Sequence, residues 1–114
     1  MTHFMKLSPS AFRSFADGEK RVEMRLYDEK RRALRVGDYI IFNCANLGRL
    51  QVKIVGIKIF KDFNELYAAY PPSELGYKAG ETARSEDMLA YYTRDEQEKY
   101  GVVAIETAGV KGVL

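Results

Sequence analysis

Apolar positions along the chain change period several times, and each change marks an element. Ser8-Pro9 followed by Ala11, Phe12 and Phe15 has helical spacing. Ser8 can accept from the orphan amides of a first turn, Pro9 loses no hydrogen bond at the first helical position, and Asp17-Gly18 is a stop. From Lys20 the period drops to two: Val22, Met24 and Leu26 share one face of a strand and Arg21, Glu23 and Arg25 the other. Lys20 then falls on the apolar side, which puts it either in the turn before the strand or in a partly enclosed place. Tyr39-Ile40-Ile41-Phe42-Asn43-Cys44, after the turn Val36-Gly37-Asp38, has the composition of a core strand. A long strand is expected from 49 to 60, with Leu50, Val52 and Ile54 alternating with Gln51 and Lys53, and Ile57 and Ile59 alternating with Lys58 beyond an interruption at Gly56. A bulge or sharp bend at Gly56 would let a small sheet curl towards a barrel.

Helical signals fill most of the second half. Asp62-Phe63-Asn64-Glu65 has capping-box spacing, with Phe63, Leu66, Tyr67 and Tyr70 facing inward until Pro71-Pro72 stops the helix. Ser85 and the acidic pair Glu86-Asp87 open another helix, whose buried side would be Met88, Leu89, Tyr91 and Tyr92. Thr93-Arg94-Asp95-Glu96 repeats the capping-box spacing before a short helix to Tyr100, and Val102-Val103-Ala104-Ile105-Glu106 is a last strand. Order is expected to fade after Ala108-Gly109, residues 110–114 being either frayed or a final piece of strand. No repeat, low-complexity tract or Pro/Gly linker divides the chain, so residues 1–114 are read as one domain. Strands at both ends of a helical insert make the fold class α+β, a small mixed β-barrel flanked by short helices.

With 114 residues, 46% of them hydrophobic, the chain can bury a core without disulfides or a structural metal. Its single cysteine, Cys44, reads as an inert buried thiol in a reducing compartment. The single histidine, His3, lies beside a chain end expected to fray, so a Cys/His catalytic pair carries little weight. One Cys and one His cannot supply a zinc ligand set, and no cofactor is expected; a magnesium ion brought with a phosphate is the one metal route left open. No apolar run reaches the roughly 20 residues that span a bilayer, and residues 1–6 lack the pattern of a secretory signal, so the expected location is the cytoplasm, away from membranes.

Charge changes the picture more than composition does. The net charge is only +2, yet residues 1–61 hold 13 Lys/Arg against 6 Asp/Glu, while residues 62–114 hold 5 against 10. A basic half raises the local concentration of polyanions. Its densest run is Lys30-Arg31-Arg32 with Arg35 behind it, although Asp28 and Glu29 stand directly before the run and could make it a solvated turn of mixed charge.

Residues 18–42 carry a resemblance. Gly18-Glu19-Lys20-Arg21-Val22-Glu23-Met24-Arg25, then Tyr27-Asp28-Glu29-Lys30-Arg31-Arg32, then Val36-Gly37-Asp38-Tyr39-Ile40-Ile41-Phe42, resembles the G-x-K-x-x-E-x-R … V-G-D-x-I-x-F pattern of the ASCH (activating signal cointegrator homology) domain. Asp87-Met88, Tyr91-Tyr92 and Lys99-Tyr100-Gly101-Val102-Val103 are similar to short stand-alone bacterial members. The resemblance implies a PUA-like β-barrel with a charged cleft beside the first helix, suited to RNA or a nucleotide-like molecule. The residues fit such a partner on their own chemistry. Amides of a glycine turn together with Lys20 and Arg25 could hold a phosphate or a base edge, Glu23 could orient those cations, and Tyr27 could stack on an unpaired base. Lys30, Arg31 and Arg32 would add phosphate contacts. Arg21, Glu23 and Arg25 could equally be an exposed strand face of mutually paired charges.

An enzymatic alternative follows from the same resemblance. Some small bacterial ASCH proteins look like amidohydrolases acting on N4-acetylcytidine, with a G-x-K-x-x-T-x-R motif that supplies a lysine and a hydroxyl, and a later glutamate. Lys20 matches the lysine, Glu23 stands where the hydroxyl would be, and Glu74 is the candidate for the third group. A carboxylate beside a lysine could activate water as a general base, though not by hydroxyl chemistry. Other ASCH proteins are proposed to cleave RNA. A protein-interaction role would need an exposed amphipathic seam, which the sequence does not display. No pattern in the chain specifies a number of subunits.

Overall fold

The computed structural model describes residues 1–113. Its frame is a five-stranded mixed sheet: β1 (Thr2–Lys6), β2 (Val22–Leu26), β3 (Tyr39–Cys44), β4 (Gly48–Phe60) and β5 (Val102–Val113), in the order β1-β3-β4-β5-β2. Only β1 and β3 are parallel. A parallel pair needs a crossover, and α1 (Pro9–Ala16), β2 and α2 (Glu29–Arg32) supply it. The sheet curls into a half-barrel whose edge strands β1 and β2 face each other without pairing. The register of β4 against β5 shifts between Ile54 and Gly56, the bulge expected at the glycine, where an added Cβ would run into the Glu106 side chain.

Two apolar clusters lie on opposite faces of this sheet. Inside the curl, Phe12 and Phe15 of α1 pack on Ile40, Phe42, Val52, Ile54, Val103 and Ile105. The Phe15 and Phe42 rings stand 4.7 Å apart, an arrangement that adds about 1 kcal/mol to the burial of either ring. On the other face, Val22, Met24, Leu26, Val102 and Ala104 are covered by α3 (Phe63–Ala69), a 3₁₀ turn at Pro72–Leu75 and another at Ser85–Ala90. The short α4 (Arg94–Tyr100), closed at its start by the Thr93–Glu96 capping box, leads into β5.

Several expectations are corrected. The chain start does not fray: β1 pairs with β3 over its whole length, and His3 Nε2 sits 2.8 Å from Asp38 Oδ2. The segment from Ser85 is a 3₁₀ turn with three residues per turn, so Met88 is buried while Leu89 stays on solvent and Tyr91, just past its end, is 66% exposed. Ile59 is also exposed, because β3 flanks β4 only as far as Lys53. Of the two alternatives for the tail, strand is found up to Val113, which pairs with Arg49; Leu114 lies outside the described residues. No helix among the described residues is long and apolar enough to cross a membrane.

Candidate functional site

β2 is the strand that builds the site, because both of its faces are covered. Val22, Met24 and Leu26 enter the outer cluster, while Glu23 and Arg25 lie opposite Ile105 and Val103 of β5 and so point into the half-barrel. A charged strand face that would ordinarily be solvated is therefore enclosed. Lys20, in the turn just before the strand, is 8% exposed and joins them. Its stem passes against Gly76, where a Cβ would come to 3.0 Å of Lys20 Cδ and where φ is +103°, so glycine is needed on both counts.

Glu23 holds the cluster together. Its Oε1 accepts from the Met24 amide at 2.9 Å and lies 3.4 Å from Lys20 Nζ. Its Oε2 accepts from Arg25 Nε at 3.2 Å and Nη2 at 3.0 Å. Burial would raise the pKa of this carboxyl, but the Lys20 ammonium and the Arg25 guanidinium outweigh burial and hold it below the usual carboxylate value. Arg25 is correspondingly raised, its own burial being outweighed by Glu23. The same guanidinium reaches across the open seam of the half-barrel, with Nη2 donating to the Lys6 carbonyl at 2.6 Å. An unpaired edge carbonyl of β1 is thereby satisfied by a side chain instead of a strand.

A cavity of about 150 Å³ opens over this cluster, lined by Lys6, Leu7, Ser8 and Ala11 on one side and by Met88, Tyr91 and Tyr92 on the other. Tyr92 is a fixed wall: its ring stacks on buried Phe63 at 5.9 Å, and burial raises the phenol pKa against the opposing pull of Arg25 and Arg31, keeping it neutral. Tyr91 stands at the rim with its ring open to solvent. A second cavity of about 310 Å³ adjoins the first, sharing Ser8, Ala11, Lys20, Met24, Met88 and Tyr91, and continues past Ser10, Ser14, Tyr67, Tyr77, Lys78 and Asp87. Tyr77 donates to Asp87 Oδ2 at 2.7 Å and meets the Tyr67 hydroxyl at 2.8 Å, which ties the wall of this second lobe to α3. Burial and then the Tyr67 contact push the Tyr77 phenol far above its usual range. Lys20 is the cation at the junction of the two lobes.

The other candidate residues fall elsewhere. Lys30 Nζ donates to the Phe4 carbonyl at 3.1 Å, Arg31 Nη1 pairs with Asp28 Oδ2 at 3.1 Å, and the Arg32 guanidinium covers the Tyr27 ring at 4.4 Å. None of these four lines either lobe. The glycine turn does not offer free amides, since Gly18 donates to Phe15 O and both Glu19 and Lys20 donate to Ser14 O. Glu74 lines neither lobe, and its carbonyl accepts from the Arg21 amide. Cys44 is buried and free. Among the described residues no cluster of three or more His, Cys, Asp or Glu is placed to hold a metal. Periodicity alone did not reveal Tyr91 and Tyr92 as cleft residues, because their spacing is that of a helical core face.

A five-stranded mixed sheet curled into a half-barrel and flanked by several short helices is a PUA-like fold. The ASCH domain model matches residues 5–110, and the chain belongs to the ASCH domain family. The crystal structure of the hypothetical protein PH0355 superposes with a TM-score of 0.80 at 31% identity, covering 99% of this chain and 100% of its own. The solution structure of protein PF0455 from Pyrococcus furiosus gives 0.68 at 30% identity, over 94% of this chain and 96% of that one. A point mutant of the ASCH protein ZmASCH from Zymomonas mobilis shares the fold at a TM-score of 0.64 and 14% identity, covering 95% of this chain and 68% of its own. No curated protein matches the sequence.

Proposed function

We propose that this ASCH domain binds RNA by holding one unpaired nucleotide in the two-lobed cleft, without chemistry on it. The observation that carries this reading is the buried Lys20–Glu23–Arg25 cluster under a cavity walled by tyrosines. Lys20 supplies the charge for a phosphate or a carbonyl edge at the junction of the lobes, Tyr91 supplies an open ring for stacking, and the Tyr92 hydroxyl supplies a neutral polar contact. The first lobe is well below the several hundred Å³ of a typical small-molecule site, which suits one ring better than a larger ligand.

The amidohydrolase and ribonuclease alternatives need a base. Glu23 is a poor one, because its four acceptor directions already face Met24, Lys20 and Arg25, and its pKa is lowered, whereas a general base works best with a pKa near the operating pH. The test is calorimetry with cytidine monophosphate alongside incubation with N4-acetylcytidine. Binding that weakens at least about tenfold in Lys20→Met, with no acetate released, is expected. Acetate release by the wild type and not by the variant, or no binding of any mononucleotide, would overturn the reading.

A further inference from the structure

The outer face of the sheet is covered over only one half. Beyond the Gly56 bulge it is buried under α3 and the 3₁₀ turns, but over β1, β3 and the first part of β4 it is open, with Phe4 53% and Tyr39 39% exposed. Register fixes what else shares that open half. Tyr39 lies opposite Thr2 and Lys53, Asn43 opposite Lys6 and Arg49, and Gln51 opposite Lys111. Every charged residue that register places there is a cation: Lys6, Arg49, Lys53 and Lys111. Among the described residues none of the four forms an ion pair, and Arg49 is steadied by a neutral partner, its Nε donating to Asn43 Oδ1 at 3.1 Å.

A face whose charged residues, among those described, are all cations draws polyanions, and the interleaved rings select among them, because only a single strand leaves its bases free to stack. A second copy of the chain on the same face would set like charges against each other. Lys6 also lines the first lobe of the cleft, so the open face continues over the sheet edge into the nucleotide site. We infer that this half of the outer face is a track for single-stranded RNA, with bases on Phe4 and Tyr39 and phosphates along the four cations, leading past Lys6 to the cleft. The choice of RNA rests on the function proposed above; apart from Lys6, the surface itself rests on separate residues.

The experiment is fluorescence anisotropy with a single-stranded RNA of about 12 nucleotides at several salt concentrations, with cytidine monophosphate titrated in parallel. The combined Arg49→Gln, Lys53→Gln, Lys111→Gln variant is expected to lose tenfold or more in RNA affinity. Its log–log salt slope should flatten by about 2, at roughly 0.7 for each lost phosphate contact, with mononucleotide affinity unchanged. Tyr39→Ala should weaken RNA binding at an unaltered salt slope. The proposal is overturned by a triple variant with wild-type RNA affinity and slope, or by a wild type that binds the mononucleotide but no strand. It is also overturned by a wild-type dimer that Phe4→Ser dissociates while RNA affinity holds. Strand binding through this face with no mononucleotide binding would instead strike the cleft reading and leave the track standing.

Discussion

Two groups of cations stand close together in the sequence and differ in what surrounds them. Lys20 and Arg25 are enclosed and share the Glu23 carboxylate, whereas in α2 Lys30 and Arg32 are exposed and Arg31, half-buried like Arg25, pairs with Asp28 instead. In α2 each head group has its own partner: the Phe4 carbonyl of β1, the preceding Asp28, or the Tyr27 ring. Charge density along the sequence was highest in the second group, yet the cavity lies over the first. The difference teaches that a site needs enclosed cations that share one counter-ion and so keep a net charge, since interactions there are screened far less than at a solvated turn.

Breaking the counter-ion should have the largest effect. Glu23→Ala leaves two enclosed cations without compensation and should destabilise the domain by about 3–5 kcal/mol, read as a shift in urea midpoint at constant slope. Gly76→Ala demands a left-handed residue where a Cβ presses on the Lys20 stem, and a loss of about 1–3 kcal/mol is expected, together with weaker nucleotide binding as Lys20 is displaced. Arg32→Gln, in the other group, should change stability by no more than about 0.5 kcal/mol and leave mononucleotide affinity unaltered. An Arg32→Gln loss as large as that of Lys20→Met would erase the contrast between the two groups.

Acid sharpens the same comparison. The folded-state pKa of Glu23 lies below its unfolded value of about 4.3, so its contribution is complete above that value and is lost as pH falls through the lowered folded value. Stability measured by urea between about pH 6 and pH 3 should therefore fall less steeply in Glu23→Gln than in the wild type. Asp38, lowered chiefly by its hydrogen bond with His3, gives an acid limb of the same sign in both proteins and sets the remaining slope.

Much of the frame was legible in local patterns. Caps at Ser8, Asp62 and Thr93, the strand Tyr39–Cys44 and the irregularity at Gly56 all follow from interactions within a few residues, which the sequence states directly. β1 was missed because only Met5 of its five residues is fully buried, and its pairing with β3 spans a crossover that no local signal announces. The exposure of Tyr91 was missed because a 3₁₀ turn and an α-helix share apolar spacings over so short a stretch.

The sequence by itself determined that β2 alternates, that Lys20 breaks the alternation, and that Glu23 stands between two cations. Tertiary structure alone decided that both faces of β2 are covered, so that the charged one becomes the floor of a cleft instead of a solvated edge. It also decided that half of the outer sheet face stays bare, with its cations unpaired among the described residues. The reason is that period two fixes which residues share a face, whereas what lies against each face depends on elements brought in from distant parts of the chain.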